Sequence, residues 1–265
     1  MRQKNKKSKR SQITIFVIIA IIIVAIVLIF LYPQIRKAFV APNPSEMIPK
    51  SCIESAVKAA LNTTLMHGGT ASPELYIRYN NESIGYACYT SEWYKTCVMQ
   101  SPLLKQTIQS EIEAGIQQKI SSCIQGMQDE LTRRGYTIKI SGTKKAAVEI
   151  APKKIIVSPE LSMTISQEGG VAQTFSNSRF QTEFSSNAYD MIMIASSIQN
   201  YEARFGDSIT ESYMNFYPNI RIEKKRQDDG TKIYIITDRN TNEKLQFATR
   251  SLAFPPGIAF TNPLA

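Results

Sequence analysis

The chain has 265 residues, with 31 Lys/Arg against 22 Asp/Glu, a single His and a net charge of +9. At 43% hydrophobic residues it is too apolar for a disordered chain. Six of the positive charges sit in the first ten residues, leaving +3 for the rest, so the basic balance does not mark the remaining chain as a nucleic-acid binder.

The chain opens with Arg2, Lys4, Lys6, Lys7, Lys9 and Arg10, followed by an apolar run from Ile13 to Tyr32 interrupted only by Thr14. A helix of about 20 residues is roughly 30 Å long, the thickness of a bilayer's hydrocarbon layer. The run is longer than a signal-peptide core and ends in Leu31, Tyr32 and Pro33 without a small-residue cleavage site, so it reads as a retained signal anchor. Only Arg36 and Lys37 oppose the basic tail beyond the run, which orients the N-terminus to the cytoplasm. The expected organisation is a basic cytoplasmic tail over 1–12, a transmembrane anchor over 13–32 and a stalk over 33–49. An extracytoplasmic domain over 50–265 follows, with a candidate lobe boundary near 186.

Four cysteines, Cys52, Cys88, Cys97 and Cys123, lie on the outer side of that anchor. An even number in an oxidising compartment suggests two disulfides, of which the sequence alone permits three pairings. Separations of 36, 9 and 26 residues lack the close pairs of structural zinc sites. Ile53, Val57, Leu61 and Leu65 mark an amphipathic helix over 49–66, with Cys52 in its first turn. A second helix is marked by Leu104, Ile108, Ile112, Ile116, Ile120, Ile124, Met127 and Leu131, with Cys123 toward its far end. If the two pack antiparallel, Cys52 meets Cys123 and Cys88 is left for Cys97.

Between these helices, 75–79 and 84–89 form an expected hairpin around a turn at 80–83. The stretch is rich in aromatics, and Tyr86, Tyr89, Trp93 and Tyr94 form a candidate binding face, since aromatic side chains give large contact area at low entropy cost. Asn81 and Asn62 stand in glycosylation sequons, and Asn62 falls within a helix.

After Gly135 the period changes to alternation. Strands are expected at 136–140 and 146–150 with a turn at Gly142 and Thr143, then at 155–165 and 171–184. A third outer helix carries Ala188, Met191, Ile192, Ala195, Ile198, Tyr201 and Phe205, capped by Ser185 or Ser186 and ending at Gly206. Strands return at 220–226 and 232–237 around Asp228, Asp229 and Gly230, and again at 245–248. The fold class is therefore α+β: an N-terminal transmembrane helix, then antiparallel helices packed on a mostly antiparallel sheet.

The chain carries no phosphate-cradling G-x-x-x-x-G-K-[ST], no dinucleotide glycine fingerprint and no H-E-x-x-H, so no cofactor, metal or catalytic residue is assigned. His67 lies at a helix end with no nucleophile pattern beside it. Glu111 and Glu113 fall on different sides of their helix, and Asp228 and Asp229 occupy a turn. The function these features favour is a membrane-anchored binding or structural module of the cell envelope. The expected partners are the lipid bilayer and an envelope protein, a surface glycan or a second copy, with no nucleic acid. The alternatives are a pilin-like filament subunit and an envelope hydrolase with dispersed carboxylates.

The stretch Lys9-Arg10-Ser11-Gln12-Ile13-Thr14-Ile15-Phe16, with Cys52-Ile53-Glu54-Ser55-Ala56, Gly68-Gly69 and Tyr234-Ile235-Ile236-Thr237-Asp238, resembles a family of single-pass membrane proteins of small-genome symbiotic (DPANN-type) archaea. The resemblance spans most of the chain and implies architecture, not activity. The N-terminus is also similar to archaeal pilin signals, although Ser11 replaces the usual small residue before Gln12 and Phe16 occupies the position where that pattern carries an acid.

Overall fold

The computed structural model describes residues 18–30, 50–167, 171–176 and 180–255. Residues 18–30 form a helix, α1, with every side chain exposed. The expected membrane span runs past α1 at both ends, and its residues 13–17 and 31–32, like the tail and the stalk, lie outside the described residues. Among the described residues no helix is long and apolar enough to cross a membrane.

The rest is an α+β fold. Helix α2 (Lys50–Met66) buries Ile53, Val57, Leu61 and Leu65, and α3 (Leu104–Arg133) buries a stripe from Leu104 through Ile112 and Ile120 to Leu131. The two run antiparallel. Gly69, just past the end of α2, faces Leu104 and Ile108, Ala60 faces Gly115, and Cys52 is bonded to Cys123. Gly115 is what allows that approach, because a Cβ there would stand 3.0 Å from the Ala60 Cβ.

Two sheets flank the helices. In the first, the order is β1 (Tyr76–Tyr79), β2 (Glu82–Tyr89), β10 (Lys244–Arg250), β9 (Thr231–Asp238) and β8 (Ile220–Arg226), with the short β3 (Val98–Met99) also on β2. Strands β2 and β10 run parallel, so this sheet is mixed. It takes strands from both sides of residue 186, and the central pairing joins segments about 160 residues apart in sequence. The β1–β2 turn is tighter than the four residues expected. Asn80 and Asn81 make it alone, at φ 50° and 68°, the left-handed region that a two-residue hairpin requires and Asn tolerates.

The second sheet is a long hairpin, β4 (Tyr136–Ala151) and β5 (Lys154–Gln167), with β6 (Gln173–Phe175) and β7 (Thr182–Ser185) on the far side of β5. Gly142 is not a turn between two strands, as its sequence suggests, but a bulge within one. The pairing steps from Gly142↔Leu161 to Ala146↔Pro159, four residues of β4 against two of β5. At φ 114°, with the Glu160 carbonyl 2.6 Å from where a Cβ would be, only glycine fits there. Along 171–184, only β6 and β7 are strands among the described residues.

Helix α3 lies along the outer edge of β4 and satisfies backbone groups of Val148 and Ile150 there. Glu113 Oε1 accepts from the Val148 N–H at 2.8 Å, Gln109 Oε1 from Ile150 at 3.3 Å, and Lys105 Nζ donates to the Ile150 carbonyl. An edge strand is thereby covered by a helix. Helix α4 (Ala188–Phe205) packs against α3, β4 and four strands of the first sheet, and one continuous core runs from Ile53 to Phe247 through both sheets. A short α5 (Thr210–Phe216), absent from the sequence reading, follows and packs on β8.

Candidate functional site

The loop between β2 and β3 is closed by the Cys88–Cys97 disulfide, nine residues apart. Both sulfurs are buried, so the bond is a staple beneath the loop. The loop also pairs with the chain that leaves β10. Thr90 N–H donates to the Arg250 carbonyl, Leu252 N–H to Lys95 and Tyr94 N–H to Ala253, at 3.1, 2.7 and 2.9 Å. The guanidinium of Arg250 supports it from below, donating to the carbonyls of Thr90 (2.6 Å) and Asp229 (3.0 Å) and lying 4.5 Å from the Trp93 ring centroid.

The four aromatics of the candidate face divide into two pairs. Tyr86 and Tyr89 are half-buried, packed edge to face at 4.9 Å, and the Tyr86 hydroxyl is engaged by Thr231 Oγ1. Trp93 and Tyr94 are exposed at 37% and 54%, with Tyr94 edge-on to Phe254. Tyr94 has φ 60°, a conformation that costs a bulky L-residue on the order of 1–2 kcal/mol. The backbone bond to Ala253 and the disulfide hold it there, so the ring is displayed by a loop that could otherwise relax.

Asn81 is exposed at the β1–β2 tip. Asn62 is exposed on α2 and lines a shallow groove of about 370 Å³ with Lys58, Ser185, Thr241 and Lys244. His67 is held by the Ala71 carbonyl on Nδ1 and by Glu82 on Nε2, pinning the end of α2 to β2. Glu111 accepts from the Ala71 N–H, so neither carboxylate of the Glu111/Glu113 pair is free for chemistry. Asp229 accepts from the N–H and hydroxyl of Thr231, which braces the turn under Arg250.

A second constellation was missed from sequence. Glu202, in the last turn of α4, and Lys232 and Tyr234, on β9, meet beneath the stapled loop. Lys232 Nζ lies 2.6 Å from Glu202 Oε2, with side-chain exposures of 7% and 0%. The Tyr234 hydroxyl donates to Glu202 Oε1, and Lys232 also donates to the Gly206 carbonyl. Asp207 stands 3.5 Å from Lys232 Nζ and bonds Lys224 and Arg226 of β8. Burial pushes the Glu202 carboxyl above its ordinary range, against the opposing pull of Lys232 and Tyr234. Burial also works against the Asp207 charge, but the Lys224 hydrogen bond and the charges of Lys232, Lys224 and Arg226 outweigh it and its pKa is lowered.

A signal for this cluster exists in the sequence. Glu202 falls in phase with Met191, Ala195 and Ile198 on the buried stripe of α4, and Lys232 falls in phase with Tyr234 and Ile236 on a strand. A charge at a core phase requires a partner. Among the described residues, no three His, Cys, Asp or Glu side chains are grouped to hold a metal ion. Compared with protein-family models, curated proteins and solved structures, the chain matches none.

Proposed function

We propose that the chain is a membrane-anchored, extracytoplasmic binding module of the cell envelope, of the kind seen in single-pass archaeal surface proteins, whose contact residues are Trp93 and Tyr94. The observation that carries this reading is Tyr94, an exposed aromatic in a left-handed backbone conformation, fixed by a disulfide, a backbone ladder and Arg250. Strain retained at an exposed loop tip is accounted for by what the tip displays. Two exposed aromatics on a preorganised loop suit an envelope protein or a surface glycan, because little entropy remains to be lost on binding. The anchoring is supported by the uninterrupted apolar run and its basic flank, and the outer location by the two disulfides.

Site-specific photo-crosslinking in intact cells tests the contact. A photoreactive residue at position 94 should yield a discrete adduct, and one at Val171, 88% exposed but on another part of the surface, should not. Equal labelling from both positions, or none from 94, would sink the proposed face. Release of the chain from membranes by a salt wash would remove the anchor.

A further inference from the structure

Glu202 and Lys232 are held together with more than a charge and its counter-charge. The two reacting groups are both buried and sit on rigid elements, an α-helix and a central strand. One carboxyl oxygen, Oε1, receives the Tyr234 hydroxyl, while Oε2, among the described residues, meets only the Lys232 ammonium as a donor. A second carboxylate, Asp207, stands 3.5 Å from the same nitrogen. These are the parts that forming an amide requires: an amine, a carboxyl, a donor on the oxygen that keeps its bond to carbon, and a base to carry protons.

The geometry points to an intramolecular amide between Lys232 Nζ and Glu202 Cδ, a covalent crosslink from the end of α4 to β9 beneath the stapled loop. The structure shows the ionic pair, which is the reactant state. In the first step a proton passes from the ammonium to Glu202, giving a neutral amine and a carboxylic acid. Nζ then forms a bond to Cδ, and Tyr234 stabilises the charge that develops on Oε1. Asp207 takes a proton from the attacking nitrogen and delivers it to Oε2, which breaks from Cδ and leaves as water. Two of the three ammonium protons depart in that water, one stays on the amide nitrogen, and no oxidant or other co-reactant is consumed.

The environment separates the two carboxyls as the step demands, with Glu202 shifted toward the neutral acid and Asp207 held ionised. Holding amine and acid in contact supplies the orientation that a condensation in water lacks. The product also removes a buried ion pair whose desolvation is costly.

Peptide mapping of the full chain, purified from membranes, reduced and digested with trypsin, decides the matter. The expected product is peptide 180–204 joined through Glu202 to Lys232 of an uncleaved 227–239, lighter than the sum of the two by one water. Lys232→Arg retains the charge but cannot condense to this product, and should abolish the linked species. Asp207→Asn should leave a larger unlinked fraction, and full linkage in that variant would remove Asp207 from the scheme. Recovery of free 180–204 and 233–239 in full from the wild type would leave only a buried ion pair and overturn the crosslink, without touching the reading of Trp93 and Tyr94.

Discussion

The two disulfides close loops of very different size, which makes their contributions separable. Cys52–Cys123 spans 71 residues and Cys88–Cys97 spans nine. Chain-entropy arithmetic assigns the long loop about 4.4 kcal/mol and the short one about 2.6 kcal/mol. Cys52→Ala/Cys123→Ala should therefore be the less stable double variant by about 2 kcal/mol, an extra fall in Tm of roughly 4–8 °C for a domain of this size. The assay is thermal unfolding of the purified full chain followed by far-ultraviolet circular dichroism. The functional effect should run the other way. Cys88→Ala/Cys97→Ala frees the loop that displays Tyr94, so its crosslinking from position 94 should fall while that of the long-loop variant persists. A short-loop variant as unstable as the long-loop one would refute the entropic account, and undiminished crosslinking from it would refute the role of the staple.

Asp238 is buried and accepts from the N–H groups of Asn240 and Thr241 and the side chains of Asn187 and Asn219, so Asp238→Ala should cost about 3 kcal/mol at neutral pH. Burial opposes its charge, but those four donors outweigh it and lower its pKa below the ordinary 3.8. Its contribution is thus present above about pH 4 and fades as the pH falls through the folded value. Urea midpoints of wild type and variant should converge in acid, and parallel profiles would count against this. Arg250→Ala removes two charge-assisted bonds and the cation beneath Trp93, about 3 kcal/mol together. Trp93 is the only tryptophan, so its emission should shift red and become more accessible to iodide, and an unchanged spectrum would mean that the loop does not need Arg250. In a host that glycosylates exported chains, Asn81→Gln should remove the mass increment, because Asn81 lies at an open hairpin tip while Thr64 of the other sequon is buried. An increment that survives the substitution would place the glycan elsewhere.

Periodicity made the helices legible. The four-residue spacing of Ile108, Ile112, Ile116, Ile120 and Ile124 defines one face of α3, and setting that face against Val57 and Leu61 of α2 brings Cys52 to Cys123. Periodicity also misled where a local signal had a non-local cause. Gly142 reads as a turn because nothing nearby reveals that β5 continues past it. Helix α5 was missed because Phe216 points to solvent and the short segment has no repeating apolar stripe. In the candidate site, the exposed aromatics were legible as residues. The difference between Tyr86, tied to Thr231, and Tyr94, held open, depends on partners about 145 to 160 residues away.

Ser251 shows why those distant partners matter together. Its hydroxyl accepts from the Cys97 N–H at 3.0 Å and donates to the Glu202 carbonyl at 2.6 Å, and the residue is buried. Without Ser251 the Cys97 N–H would lose its acceptor, at about 1–3 kcal/mol, and the Glu202 carbonyl would keep only the Gly206 N–H that closes α4. One side chain after β10 thus couples the stapled loop to the end of α4, where Glu202 meets Lys232. The parallel pairing of β2 with β10 puts Ser251 at that joint, and no hairpin or local turn could do so. The display of Tyr94 and the buried Glu202–Lys232 pair are consequently two outputs of one long-range strand contact. Anything that fixes α4 to β9, an ion pair or a covalent bond, also limits how far the aromatic loop can move.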